Sequence, residues 1–151
     1  MVRDVSDKHP LYYEAKLQIR QPTDEVLVYV EKEITQADIY IAKVDKVKNG
    51  FDYYLADNNF TKSLGKHLQE KFGGELNLTS SLFSKKDGKD IFRVTILFRK
   101  ASVNKGDLVM YGGDEYKVKS MGKDITIFGI KNKKKLHIKY KDMHLLRPKE
   151  D

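Results

Sequence analysis

The densest positive charge in the chain lies in Lys131 to Lys141, KNKKKLHIKYK, where ammonium groups recur with no acid between them. Lys133, Lys134 and Lys135 fall together, while Lys139 and Lys141 alternate with Ile138 and Tyr140, so cations can face outward as their apolar neighbours enter a core. The chemistry open to such a run is phosphate binding, because each neutralised phosphate releases a counterion and adds a salt-dependent increment of affinity. A lysine-rich turn that keeps a strand edge from aggregating fits the same residues. Two smaller basic groups sit beside turn signals: Lys43, Lys46 and Lys48, and Lys85, Lys86 and Lys89. Exposed tips of this kind enter RNA grooves or simply solubilise the chain. Arg20 and Tyr12 lie on the polar side of an alternating stretch, where a guanidinium can contact phosphate and a phenol can stack on an unpaired base. Tyr54 is assigned to that same face.

No comparable pattern supports catalysis. His9, His67, His137 and His144 are scattered, and His137 and His144, in separate expected strands, make a weak metal pair. Asp52 and Asp57 flank a strand end, but Asp57 is more simply a helix cap. No serine or threonine stands in a nucleophile elbow, and no glycine-rich phosphate loop precedes a helix. Cysteine is absent, which removes disulfides, thiol chemistry and cysteine-based zinc sites from this stretch. The expectation is a non-enzyme without metal, cofactor or small-molecule substrate. No apolar run approaches the roughly 20 residues of a membrane span, and Met1 to Pro10 is charged, unlike the apolar region of a signal peptide. A soluble, cytoplasmic protein is expected. The formal charge of +7 favours an acidic partner, nucleic acid first. It is unevenly shared: residues 1–100 carry 17 basic and 15 acidic side chains, residues 101–151 carry 12 and 7.

The elements that must position these groups can be read in order. Leu11 to Arg20, LYYEAKLQIR, alternates at a period of two: Leu11, Tyr13, Ala15, Leu17 and Ile19 against Tyr12, Glu14, Lys16, Gln18 and Arg20. A strand of this kind belongs to a sheet covered on one side and open to water on the other. Pro22 and Thr23 break the pattern and cap a helix to about Thr35, with Asp24 and Glu25 in its first turn and Val26, Leu27, Val30 and Ile34 on its buried stripe. Asp38 to Val47 and Gly50 to Ala56 form a hairpin about Asn49-Gly50, with Phe51, Tyr53 and Leu55 inward and Asp52 and Tyr54 outward. Asp57, Asn58 and Asn59 offer caps for a second helix, on which Phe60, Leu64, Leu68 and Phe72 recur every fourth residue until Gly73-Gly74 ends it. Strands over Glu75 to Ser84 and Asp90 to Arg99 follow, with Phe92 and Phe98 assigned to the core.

The order β-α-β-β-α-β-β predicts an α+β domain over residues 1–100, a split βαβ antiparallel sheet with both helices on one face. Residues 101–151 change grammar. Asp107 to Tyr111, Glu115 to Met121, Asp124 to Ile130, Leu136 to Tyr140 and Met143 to Leu146 are short candidate strands with no helix, which predicts a small SH3-like barrel. Arg147 to Asp151 is expected to fray.

YYEAKLQIR at Tyr12 to Arg20, GFDYYLADN at Gly50 to Asn58, TSSLFSKKDGKDIFRVTILF at Thr79 to Phe98 and KGDLVMYGGDEYKV at Lys105 to Val118 resemble, in that order, the large (60S) ribosomal subunit export adaptor family, the nonsense-mediated-decay-three proteins. The resemblance implies a ribosomal-protein-like α/β domain followed by a barrel similar to translation factor five-A. It also implies an assembly factor whose partners are the large ribosomal subunit, its rRNA and ribosomal proteins, serving in eukaryotes as an export adaptor. The family's amino-terminal zinc modules and its long carboxy-terminal tail have no counterpart here, which suits a fragment or a shortened, archaeal-type homologue. From the residues alone, a second reading stays open: a protein-interaction module whose basic barrel binds an acidic protein.

Overall fold

The computed structural model describes residues 11–149, except for the side chain of Lys86. His9, the Met1 to Pro10 segment and the last two residues of the expected frayed tail lie outside the described residues. Two compact units are present: residues up to His67 with Leu76–Arg99, and Leu68–Glu75 with the chain from Lys100 onward. The architecture is α+β with two five-stranded sheets.

The first sheet comprises β1 (Ala15–Arg20), β2 (Ile41–Val47), β3 (Gly50–Leu55), β4 (Gly74–Lys86) and β5 (Lys89–Lys100), in the order β2-β3-β1-β5-β4. Helix α1 (Asp24–Gln36) starts where Thr23 accepts a hydrogen bond from the Val26 amide at 3.3 Å, and buries Val26, Val30 and Ile34. Leu27, expected on that stripe, is only partly covered. Helix α2 (Asn58–Phe72) is capped by Asp57, whose carboxylate accepts from the Phe60 amide at 2.8 Å, and buries Leu64 and Leu68. Asp57 is thus a cap in fact as well as in sequence pattern.

Cross-strand register decides which face holds the core. Leu17 lies opposite Tyr53 on β3 and Ile96 on β5, and Ala15 and Ile19 extend these rows to Leu55, Val94, Phe51 and Phe98. The Tyr53 hydroxyl donates to Glu31 of α1 at 3.0 Å, and a methyl group added at Gly65 of α2 would meet the Ile96 side chain at 2.7 Å. Both helices therefore cover one face.

The expected antiparallel sheet is mixed instead, because β1 and β5 run parallel. Had β4 taken the place beside β1, every pair would be antiparallel. The central position must be apolar on its covered side, and only β5 supplies that, burying Val94, Ile96 and Phe98, whereas Asn77 to Lys85 of β4 are exposed. β4 is left at the edge. The first strand is also shorter than its alternation implies: Glu14 still bonds through its backbone to Leu55 and Val94, but Leu11 to Tyr13 lie outside the ladder. Leu11 and Phe92, both expected in the core, are exposed. Asp52 and Tyr54 do face away from the helices, yet both are buried there by side chains described below.

The second unit holds β6 (Leu108–Tyr111), β7 (Asp114–Met121), β8 (Ile125–Gly129), β9 (Lys135–Ile138) and β10 (Arg147–Pro148), ordered β10-β6-β7-β8-β9. Its core gathers Val109, Tyr116, Val118, Ile125, Ile127 and Ile138. Gly112 and Gly113 both have positive φ, at 59° and 88°, as a tight hairpin between β6 and β7 requires. No ladder among the described residues joins β9 to β10, so the sheet does not close into a barrel. The expected strand Met143 to Leu146 falls largely in a 3-10 helix, Tyr140–Leu145, and Arg147 and Pro148, expected to fray, pair with Met110 and Val109. Tyr140 anchors that helix by burying its ring and donating its hydroxyl to the Gly122 carbonyl at 2.7 Å.

Two outcomes follow from this packing. At Gly50 the chain passes so close to Ile19 that an added Cβ would overlap that residue's carbonyl. Gly50→Ala is expected to destabilise the fold by about 2 kcal/mol or more, read as a lower urea midpoint, because backbone cannot yield as a side-chain tip can. Burial raises the phenols of Tyr53 and Tyr140, that of Tyr53 further through its bond to Glu31. The unfolded phenols release their protons near pH 10 while the folded ones hold them. Stability should therefore be level below that pH and fall as pH rises through and above it; Tyr53→Phe should flatten the decline in alkaline denaturation curves.

Candidate nucleic-acid interface

The face of the first sheet that carries no helix is built from the residues alternating with its core. Strand register brings Lys16, Gln18 and Arg20 of β1 alongside Tyr54 and Asp52 of β3, and β2 adds Lys43 and Asp45. On β5 the same alternation brings Arg93, Thr95, Leu97 and Arg99 to this side, with Arg99 beside Arg20. Within these strands five cations stand against two carboxylates, a net positive surface.

Asp52 organises its centre. The carboxylate is buried, with the Arg20 guanidinium at 2.8 Å and the Lys16 ammonium at 3.7 Å. The Arg20 Nη1 hydrogens are directed at the carbonyls of Ile19 and Phe51, at 3.1 and 3.3 Å, so Asp52 Oδ1 receives charge proximity rather than an aligned hydrogen bond. Arg20 is thereby fixed. Asp45 occupies Lys43 in a pair at 3.5 Å on the exposed hairpin.

A ladder of alternating cations and rings crosses the same face. The Arg93 guanidinium lies between Tyr13 and Phe83, 3.9 and 3.7 Å from their ring centroids. Tyr13 meets Tyr54 edge to face at 4.9 Å, and Lys43 and Lys16 approach the Tyr54 ring at 4.5 and 5.4 Å. Contacts of this type contribute roughly 0.5–2 kcal/mol each as they lose water. They also explain the burial of Tyr54. Tyr12 stands at the margin, its ring edge-on to Phe83 at 6.5 Å and its hydroxyl donating to the buried carboxylate of Glu14.

Sequence reading assigned Tyr13 to the core, and it did not single out Arg93 or Phe83. Tyr13 leaves the core because the ladder ends at Ala15, which frees its ring to turn onto Tyr54 and Arg93. A signal for Arg93 existed in the alternation of IFRVTILFR, whose Val94, Ile96 and Phe98 set sends Arg93 and Arg99 to the face of Arg20. The group Lys43, Lys46 and Lys48 is not one patch: Lys43 shares the open face with Tyr54, whereas Lys46 lies opposite Phe51 on the other side and Lys48 occupies the turn. Lys85 pairs with Asp90 at 3.8 Å on the β4–β5 hairpin.

In the second unit the lysine run is displayed by a single amide. Asn132 donates to the Tyr116 hydroxyl at 3.1 Å and to Asp114 at 3.3 Å, and its carbonyl accepts from the Lys134 amide at 2.9 Å. Lys133 adopts a left-handed backbone with φ of 61°, and Lys133, Lys134, Lys135, Lys139 and Lys141 are all exposed while Ile138 and Tyr140 are buried. None of the five forms an ion pair among the described residues. An open groove of about 1220 Å³ lies beside Lys131 and Asn132 and is lined further by Met110, His144 and Arg147. His137 faces Thr126 and Asp124 at 3.2 and 3.4 Å, and His144 lies in the 3-10 helix.

The first unit is thus a split βαβ domain with a bare, cationic and aromatic sheet face. Residues 12–99, more than half of the chain, match the family model described as NMD3, second domain; the chain belongs to the NMD3 family. No curated protein matches it. Among the described residues no helix is long and apolar enough to cross a membrane.

Replacing Asp52 by alanine would leave Arg20 and Lys16 facing each other without a counter-charge. Partial exposure of Lys16 moderates the cost to about 1–3 kcal/mol, to be measured by urea denaturation, with Asp52→Asn falling between the variant and the native chain.

Proposed function

We propose that this chain is a non-catalytic ribosome-assembly module that binds the large ribosomal subunit through its rRNA and adjoining ribosomal proteins, in the cytoplasm. The observation that carries the reading is the family match over residues 12–99, since NMD3 proteins form a ribosome-related export adaptor family. The surfaces are chemically suited to it. The exposed lysines at 133, 134, 135, 139 and 141 can each approach a phosphate without first breaking an ion pair, and the bare sheet face offers rings and guanidinium groups. The second unit is read as an SH3-like barrel in its open form: its fifth strand returns after a 3-10 turn to pair with its first, which supports that assignment.

Co-sedimentation with purified large and small ribosomal subunits across a salt series tests the reading. Saturable binding selective for the large subunit is expected, and equal, salt-labile binding to both would reduce it to general polyanion attraction. Reversing Lys133, Lys134 and Lys135 to glutamate together should weaken binding about tenfold or more and lower the salt slope by about two. Unchanged binding would remove the lysine turn from the interface. Retention of a captured partner after nuclease treatment would instead favour an acidic protein as ligand.

A further inference from the structure

Arg93 has an arrangement that ordinary solvated arginines lack. Two aromatic rings lie within 4 Å of its guanidinium carbon, Tyr13 at 3.9 Å and Phe83 at 3.7 Å, and its Nε donates to the Tyr13 carbonyl at 3.1 Å. Among the described residues neither Nη group has an acceptor and no carboxylate pairs with the guanidinium.

A planar cation in contact with two rings and tied at Nε is restrained before a ligand arrives, so part of the entropy cost of fixing it is met during folding. What it still offers is the Nη edge, an in-plane fork of donors that matches two oxygens on one phosphorus. Around it the cation–ring ladder continues through Tyr54 to Lys43 and Lys16, and Phe83 remains 38 % exposed. A carboxylate would use the fork alone. A nucleotide would use both fork and ring, because its base has a face to stack and its phosphate two oxygens to accept.

We propose that Arg93 is a preset phosphodiester clamp for single-stranded RNA, with the exposed Phe83 ring receiving an adjoining base. This rests on the rRNA-binding reading above and deepens it, by moving a specific contact from the flexible lysines to the first unit.

Fluorescence anisotropy of the full chain with a labelled twelve-nucleotide single-stranded RNA of mixed sequence tests the clamp. Arg93→Lys keeps the charge but not the planar fork, and should weaken binding about tenfold when measured at a temperature where the variant is fully folded. Phe83→Leu should weaken it less. A melting control separates these losses from unfolding. For the native chain, the Arg93 Nε–H resonance should shift on saturation with the same RNA, which requires no variant. Native affinity in Arg93→Lys together with an unmoved resonance would overturn the proposal. An equal loss toward a polyglutamate peptide would overturn it in favour of an acidic protein ligand. The two readings also fail separately. A chain that co-sediments with large subunits yet ignores the oligonucleotide refutes the clamp alone, whereas Arg93-dependent RNA binding without subunit binding refutes the ribosomal assignment alone.

Discussion

Strand β1 lies between β3 and β5, and its parallel pairing with β5 is the constraint on which the first unit depends. Ala15, Leu17 and Ile19 have no solvent exposure because Val94, Ile96 and Phe98 flank them on one side and Leu55, Tyr53 and Phe51 on the other. Slipping β5 by one residue would send that whole apolar row into water and bring two arginines inside. The same register therefore sets two things at once. It fills the core beneath the helices, and it brings Arg93, Arg99, Arg20 and Lys16 out together on the opposite face.

Charges brought together in this way must be managed, and the sheet does so by different means at different places. Near the middle, Asp52 sits between Arg20 and Lys16 in a buried cluster whose removal would leave like charges adjacent. Toward β5, rings take the place of carboxylates: Arg93 is held by Tyr13 and Phe83, which offset its loss of water without neutralising it. An arginine buffered by rings keeps its full charge for a ligand. One buffered by an acid does not.

The second unit displays cations on another principle. Asn132 pins the β8–β9 turn from beneath, and the lysines around it remain long, solvated and free to rearrange. Such side chains follow a phosphate backbone without demanding a geometry, whereas a guanidinium fixed in plane selects one. Loose lysines and a fixed fork in one chain would combine general attraction with a defined point of contact.

Much of this was legible in the residues themselves. Thr23 and Asp57 mark helix starts, Gly73 and the Gly112-Gly113 pair mark ends and turns, and the alternation of Ile138 and Tyr140 with Lys139 and Lys141 foretells which side chains are exposed. These features depend on neighbours a few residues away, so a local pattern contains them. The neighbour of β1 is different, since β4 and β5 both carry strand patterns and only the competition for a buried central position separates them. The end of β1 at Ala15, and with it the release of Tyr13 from the core, is equally non-local, as is the exposure of Phe92. The sequence by itself determined the elements, their caps and the solvated lysines, through chemistry acting within a turn or two of chain. Only the tertiary structure decided which strands pair and that Arg93 lies between Tyr13 and Phe83, because residues so distant along the chain meet where burial, not local preference, brings them together.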